Sequence, residues 1–237
     1  MTVPDRVLRG QLVSPTPGTR PAWHHIPGAR SRTRRRCALV DDRTAARVRS
    51  QGIDDRTGRP VHTRMVTDEI RTARLLLRGW RKDDREPFAA MNADPEVISF
   101  FPAPLTREQS DTLVVRIEAH VEEHGFGLWA LEADGHFAGF TGIQWTVLDR
   151  PDSELEVGWR LARWAWGHGW ATEAGAAALR RGLEEAERVV SVTAVLNQAS
   201  WQVMRRLGMT FEREFDHPRV PEGSPLRRHV RYVASRS

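Results

Sequence analysis

Cysteine, lysine and tyrosine each occur once in these 237 residues, as Cys37, Lys82 and Tyr232. A single cysteine rules out an internal disulfide and fits a reducing, cytoplasmic compartment. The one lysine, set in Arg81-Lys82-Asp83, rules out the Gly-Lys-Ser/Thr phosphate loop. No apolar run approaches the roughly 20 residues of a membrane span. The N-terminus also lacks the apolar segment of a secretory signal, so no membrane partner is expected. Gly-x-Ser-x-Gly is absent, and the only cysteine lies outside the patterned part of the chain, which disfavours nucleophilic hydrolysis.

What is present is unevenly spread. The net charge is +5, yet residues 1–64 hold 14 Arg against 5 Asp and no Glu, a local balance of +9 that leaves the remainder at −4. That first quarter also carries Pro15, Pro17, Pro21, Pro27 and the charge block Arg30-Ser-Arg-Thr-Arg-Arg-Arg36. Such composition buries too little apolar surface to offset chain entropy. We expect a disordered basic extension over 1–64 and a folded domain over 65–237, with a second translation start at Met65 as an alternative. A nucleic-acid partner is expected only through the basic segment. The mildly acidic remainder favours cationic partners.

From Arg71 onward the pattern is regular. Leu75–Trp80 reads as a strand, and Asp83 or Asp84 can cap a short helix through Met91. Thr106-Arg-Glu-Gln109 is a capping box that opens a helix to about His124, which Gly125 ends. Phe126–Ala133 and His136–Val147 read as strands joined by the hairpin signal Asp134-Gly135. Asp149-Arg-Pro151-Asp is a turn. Ser153–Leu161 alternates polar and apolar residues, as a strand with one buried face does. A helix to about Arg188, the β-branched strand Val189–Val195, a helix over Ala199–Leu207 and strands near Met209–Phe215 and Arg227–Val233 complete the order. Hairpins first and a strand–helix–strand unit later predict an α+β domain: a mixed, mostly antiparallel sheet with helices packed on it.

Between the Ser153–Leu161 strand and the helix that follows lies Trp164-Ala-Trp-Gly-His-Gly-Trp-Ala-Thr-Glu-Ala-Gly175. Gly167 and Gly169 let backbone N–H groups approach a ligand closely, and the helix start adds unpaired donors and a favourable dipole. Together they suit a phosphate or diphosphate. The third glycine of a dinucleotide fingerprint is missing, because Thr172 stands three residues after Gly169. Taken alone, two glycines can also do no more than turn the chain.

The surroundings carry more information. Glu156-Val-Gly-Trp159 followed by Trp166-Gly-His-Gly-Trp-Ala-Thr-Glu-Ala174 resembles the acyl-CoA-binding segment of GNAT-superfamily N-acetyltransferases, most closely the branch that acetylates ribosomal-protein N-termini. Ala165 departs from that branch, where an aromatic residue is usual. Asn197-Gln-Ala-Ser200, Arg205-Arg-Leu-Gly208-Met and Arg74-Leu-Leu-Leu-Arg78 also resemble family segments, so the likeness spans about residues 70–235. It implies a single GNAT-like domain with helices on both faces of a twisted sheet, and acetyl-CoA as acetyl donor with no metal. It also implies direct transfer to a primary amine, either a protein N-terminus or a small molecule, in a ternary complex. It leaves monomer and homodimer both open.

The resemblance also distributes roles. The loop N–H groups from Gly167 through His168, Gly169 and Trp170 to Ala171 would hold the diphosphate, and Trp166 and Thr172 beside them are also expected to bind the cofactor. Leu161, at the strand's end, and Asn197 would contact the pantetheine arm. Glu154 and Glu156 share a strand face. Glu156 matches the family's glutamate and is expected to act as base through water, with solvent exposure or pairing with arginine as the plainer reading of both carboxylates. Ser200 would steady the departing thiolate, or be an ordinary first-turn serine; Asn197 would equally serve as a helix cap. Tyr232 is too remote in sequence to supply a tyrosine acid beside Ser200. Trp80, Phe100, Phe101, Trp129 and Trp145 could wall an acceptor pocket or pack a core.

Two other function classes compete. His120-Val-Glu-Glu-His124 fits a zinc-peptidase pattern, though zinc needs a third ligand. A non-catalytic acyl-CoA-binding regulatory module would keep the glycine turn and lose Glu156 and Ser200; both are present, which favours an enzyme.

Overall fold

The computed structural model describes residues 69–146, 148 and 153–236. The expected basic extension over 1–64 and the turn at 149–152 lie outside the described residues. The strands are β1 (Ile70–Arg71), β2 (Leu75–Arg78), β3 (Leu128–Ala133), β4 (His136–Thr146), β5 (Glu154–Leu161), β6 (Arg188–Ala194), β7 (Thr210–Asp216) and β8 (Arg228–Ser235). The helices are α1 (Arg85–Ala93), α2 (Arg107–His124), α3 (Trp170–Glu185) and α4 (Gln198–Arg206). The element order is the one read from the sequence, with the two-residue β1 added. Too short to carry a period, it pairs with Leu76 and Leu77 of β2.

Local signals act where expected. Thr106 Oγ1 accepts from the Gln109 N–H, and Gln109 returns its side chain to the Thr106 N–H. Gly125 closes α2 in the left-handed region at φ 77°. Asp134 (φ 49°) and Gly135 (φ 77°) both take positive φ in the β3–β4 hairpin, as a two-residue turn matched to strand twist requires. Asp84 differs. It stands before α1, but its carboxylate accepts two hydrogen bonds from the buried Arg78, at 2.7 and 2.9 Å, and a third from the Arg81 N–H, so no helix N–H receives it.

The strands form one sheet in the order β1-β2-β3-β4-β5-β6-β8-β7, antiparallel except for β5 beside β6. The sheet buries two cores. On one face Leu77, Trp129, Leu131, Ile143, Leu155 and Val157 pack with Trp170, Ala174 and Ala178 of α3 and Met204 of α4. On the other, Trp80, Leu128, Ala130 and Phe140 meet Phe88 and Met91 of α1 and Val114 and Ile117 of α2. Alternation along β5 therefore sends Leu155 and Val157 toward α3, and Glu154, Glu156 and Arg160 toward the side of α1 and α2.

Candidate active site

The sheet splits at its centre. β5 pairs with β4 along its whole length, from Glu154 to Leu161, but meets β6 only at Leu155 and Glu156. Beyond that point Val157–Leu161 has no strand partner on its β6 edge. A peptide-like ligand can complete such an edge by adding main-chain hydrogen bonds. The crevice ends at the glycine turn. The Leu161 carbonyl, expected to face the cofactor, accepts from Trp166 Nε1 at 2.9 Å, so the indole fastens the turn to the end of the strand. Its neighbours stack: Trp164 meets Trp170 edge-on at 5.7 Å, and His168 lies over Trp170 at 4.6 Å. Large rings thus brace a stretch whose backbone stays bare.

That backbone is suited to an anion. Gly167 (φ 80°) and Gly169 (φ 76°) are left-handed, and Gly169 is the N-cap of α3. Among the described residues the Gly167, His168, Gly169, Trp170 and Ala171 N–H groups have no backbone acceptor, whereas Thr172 and Glu173 both donate to the Gly169 carbonyl at 3.1 Å. Five consecutive donors at a helix start are therefore open, a match for a diphosphate. The Thr172 N–H is not among them, because it closes the first turn. A brace unforeseen in the sequence secures this turn. Arg74 of the β1–β2 connection donates to the His168 carbonyl at 2.9 Å and to Glu173 at 2.7 Å, and Thr72 donates to Glu173 at 2.6 Å. Burial pushes the Glu173 carboxyl up, but the hydrogen bonds from Thr72 and Arg74 outweigh it and hold it below the usual range.

The two carboxylates of β5 separate in the structure. Glu154 accepts from Arg231 at 2.5 Å, and Arg231, 0% exposed, also pairs with Glu212. Glu156 makes no hydrogen bond or ion pair among the described residues. Burial raises its carboxyl to about 7, against the opposing charges of Arg219 and Arg231. The residue as a whole is only partly buried. A carboxylate half-ionised near neutral pH, with no partner to hold it, is equipped to take a proton. On the far bank, Asn197 caps α4 by accepting from the Ser200 N–H at 3.2 Å. The Ser200 hydroxyl and the Asn197 Nδ2 make no hydrogen bond among the described residues, so both remain available to a ligand.

The aromatic wall divides. Phe101, 38% exposed, covers the Arg160 guanidinium with its ring centroid 4.0 Å away, on the same side as Glu156; Phe100 precedes it in the α1–α2 connection. Trp129 and Trp145 do not join them. Register pairs Trp129 with Thr141 and Trp145 with Leu155, which puts both on the α3 face of the sheet, opposite Glu156. Trp129 is core there at 2% exposed, while Trp145 lies at the surface. Trp80 is core on the α1 face and donates to the Leu128 carbonyl. His120 and His124 stack 4.4 Å apart against Phe126. Among the described residues no group of three His, Cys, Asp or Glu side chains gathers to hold a metal, so the third zinc ligand is not supplied. No described helix is long and apolar enough to cross a membrane.

Comparison with known proteins bears on this geometry. The acetyltransferase (GNAT) domain family matches residues 74–210. The FsC-acetyl coenzyme A-N(2)-transacetylase of Aspergillus fumigatus is 30% identical over 189 residues, covering 70% of this chain and 76% of its own. Among solved structures, a GNAT-family acetyltransferase from Bacillus anthracis superposes with a TM-score of 0.59 at 22% identity, covering 71% of this chain and 98% of its own. Mycobacterium smegmatis RimJ, solved in complex with a CoA disulfide, gives 0.60 at 17% identity, covering 71% and 88%. These two likenesses speak to the fold, and the family match reaches across the split sheet and the glycine turn. The chain belongs to the GNAT acetyltransferase family and is an acetyl-CoA-dependent acyltransferase.

Proposed function

We propose that this enzyme moves the acetyl group of acetyl-CoA to a primary amine by direct attack in a ternary complex, with Glu156 as general base. The observation that carries the reading is Glu156 itself, a carboxylate at the split of the sheet, without a hydrogen bond or ion pair among the described residues and raised to about 7. An ammonium has no lone pair, so the acceptor must lose a proton before it attacks; a base of matched pKa, acting through water, meets that need near neutrality. The N–H groups of Gly167–Ala171 hold the diphosphate, and the unpaired edge of Val157–Leu161 takes the pantetheine arm, with Asn197 opposite. A backbone N–H of that edge stabilises the developing oxyanion, and the Ser200 hydroxyl donates to the departing thiolate. Holding both reactants in one crevice supplies much of the rate.

The acceptor side is bounded by Phe100 and Phe101, with Arg219 on the β7–β8 loop near enough to act on Glu156. Some relatives are named for protein substrates, such as the ribosomal L7/L12 alpha-N-protein acetyltransferase, and another for FsC. A protein N-terminus and a small-molecule amine are both accommodated by this reading. The test follows free-thiol release from acetyl-CoA against a panel of amines. Turnover should be lost in Glu156→Gln while calorimetry still detects acetyl-CoA binding. Unchanged turnover in that variant would remove Glu156 from the chemistry.

A further inference from the structure

The side chain of Arg160 has no part in the chemistry above. It stands four residues after Glu156 on β5, so the two side chains leave the same face, their Cα atoms roughly 13 Å apart at strand spacing. Between them lies Gly158, where an added Cβ would meet nothing within 4 Å. The floor joining the two groups is open backbone. Three groups fix the guanidinium. The Phe101 ring lies 4.0 Å from it and the Phe140 ring 5.5 Å, and Nη1 donates to Asn92 Oδ1 at 2.6 Å. Asn92 donates in turn to Ser110 Oγ at 2.6 Å, which sets the end of the amide that Arg160 meets; both residues are 0% exposed.

No carboxylate completes this arrangement. The two fully buried arginines each have two: Arg78 pairs with Asp84 and Glu132, and Arg231 with Glu154 and Glu212. Arg160 has no ion pair among the described residues. Its Nε is buried without a partner, and its Nη2 makes no hydrogen bond and is the donor left at the surface. Burial alone pulls its pKa down to about 10. An enclosed cation lacking an anion is costly to the fold, and aromatic stacking offsets only part of that. Nη2, the unused donor at the surface, can give a charge-assisted hydrogen bond to a carboxylate oxygen.

We propose that Arg160 is an anion subsite for the acceptor: the substrate carries a carboxylate as well as its amine, and the carboxylate accepts from the exposed Nη2 of Arg160 while the amine faces Glu156. The inference rests on Glu156 as the base and adds the substrate's chemical class. The test uses full-length enzyme and a series of ω-amino acids of increasing chain length, each compared with its carboxamide by thiol release. Acetyl-CoA affinity is measured alongside by calorimetry. The wild type should prefer each good acid over its amide by roughly ten- to a hundredfold in kcat/KM, the range of a hydrogen-bonded charge. The best chain length reads the span between amine and anion. Arg160→Gln should erase the preference for acid over amide, mainly through the KM of the acid. Arg160→Lys should keep part of the preference. The amide rate doubles as the control for folding. Equal use of acid and amide by the wild type overturns the subsite, as does a preference that survives in Arg160→Gln. So does failure to acetylate any member of the acid series by protein that binds acetyl-CoA. Those results leave the general-base reading standing if Glu156→Gln still abolishes turnover of other amines; loss of the Glu156 effect instead removes the reading on which the subsite rests.

Discussion

The two ends of the crevice are built differently. The proposed diphosphate cradle is five consecutive main-chain N–H groups, Gly167 to Ala171, on a stretch of chain that shapes itself through two left-handed glycines. The proposed acceptor end is built from side chains brought in from afar: Glu156 and Arg160 on β5, Asn92 on α1, Phe101 in the connection after it, and Arg219 and Arg231 from the last hairpin. A backbone site tolerates many side chains, since any residue offers the same N–H. A side-chain site depends on register and on which elements neighbour one another. The cradle therefore suits a constant cofactor, and the acceptor end suits a ligand that differs from one relative to another.

If the two ends act independently, substitutions should divide cleanly between rate and affinity. The largest effect is expected from Glu156→Gln: about 10²- to 10⁴-fold in kcat, the range of a positioned base, with acetyl-CoA affinity unchanged by calorimetry. A comparable loss of affinity would show that the two ends are one unit. The wild-type rate should climb with pH through about 7, as Glu156 loses its proton, and this limb should vanish in the variant.

Next in size is Arg231→Met, which removes the cation that Glu154 pairs with, while Glu212 keeps its hydrogen bond from Arg188. Removing one member of a buried pair costs about 3–5 kcal/mol, to be read as a lower urea midpoint. Gly169→Val puts a β-branched residue at φ 76° and should weaken acetyl-CoA binding roughly tenfold, with the pH limb of the rate preserved. A shifted limb would tie the cradle to the base.

The smallest effect concerns stability. Folding raises the Glu156 carboxyl from 4.5 to about 7, so the folded state holds that proton more tightly than the unfolded chain. The resulting stabilisation is fully present below about 4.5 and is lost as pH rises through about 7. Glu156→Gln carries no such charge. Its thermal midpoint should gain on the wild type as pH is raised across that window, and a constant difference would show that Glu156 is not desolvated.

Much of the fold was legible because its signals are local. The capping box at Thr106, the Asp134-Gly135 turn and the alternation along β5 each depend on neighbours in sequence, and each stands where the pattern put it. The glycine turn was legible for the same reason, since glycine conformation and helix-start donors are properties of a few adjacent residues. The wall of the acceptor site was not. Composition offered Trp129 and Trp145 on equal terms with Phe101, and only the pairing of β3, β4 and β5 assigns the two tryptophans to the α3 face. Likewise, Arg74 and Thr72 reach Glu173 across about a hundred residues, a contact no local pattern announces.

The sequence by itself determined the elements, their order, the glycine turn and the family to which they point. Only the tertiary structure decided which of two glutamates is free. Spacing makes Glu154 and Glu156 equivalent, two steps apart on one strand face. The insertion of β8 between β6 and β7 brings Arg231 onto Glu154 and leaves Glu156 without a hydrogen bond among the described residues, its burial outweighing the charges of Arg219 and Arg231. Periodicity fixes the face a side chain takes, but the charge it meets there depends on which distant strand lies alongside.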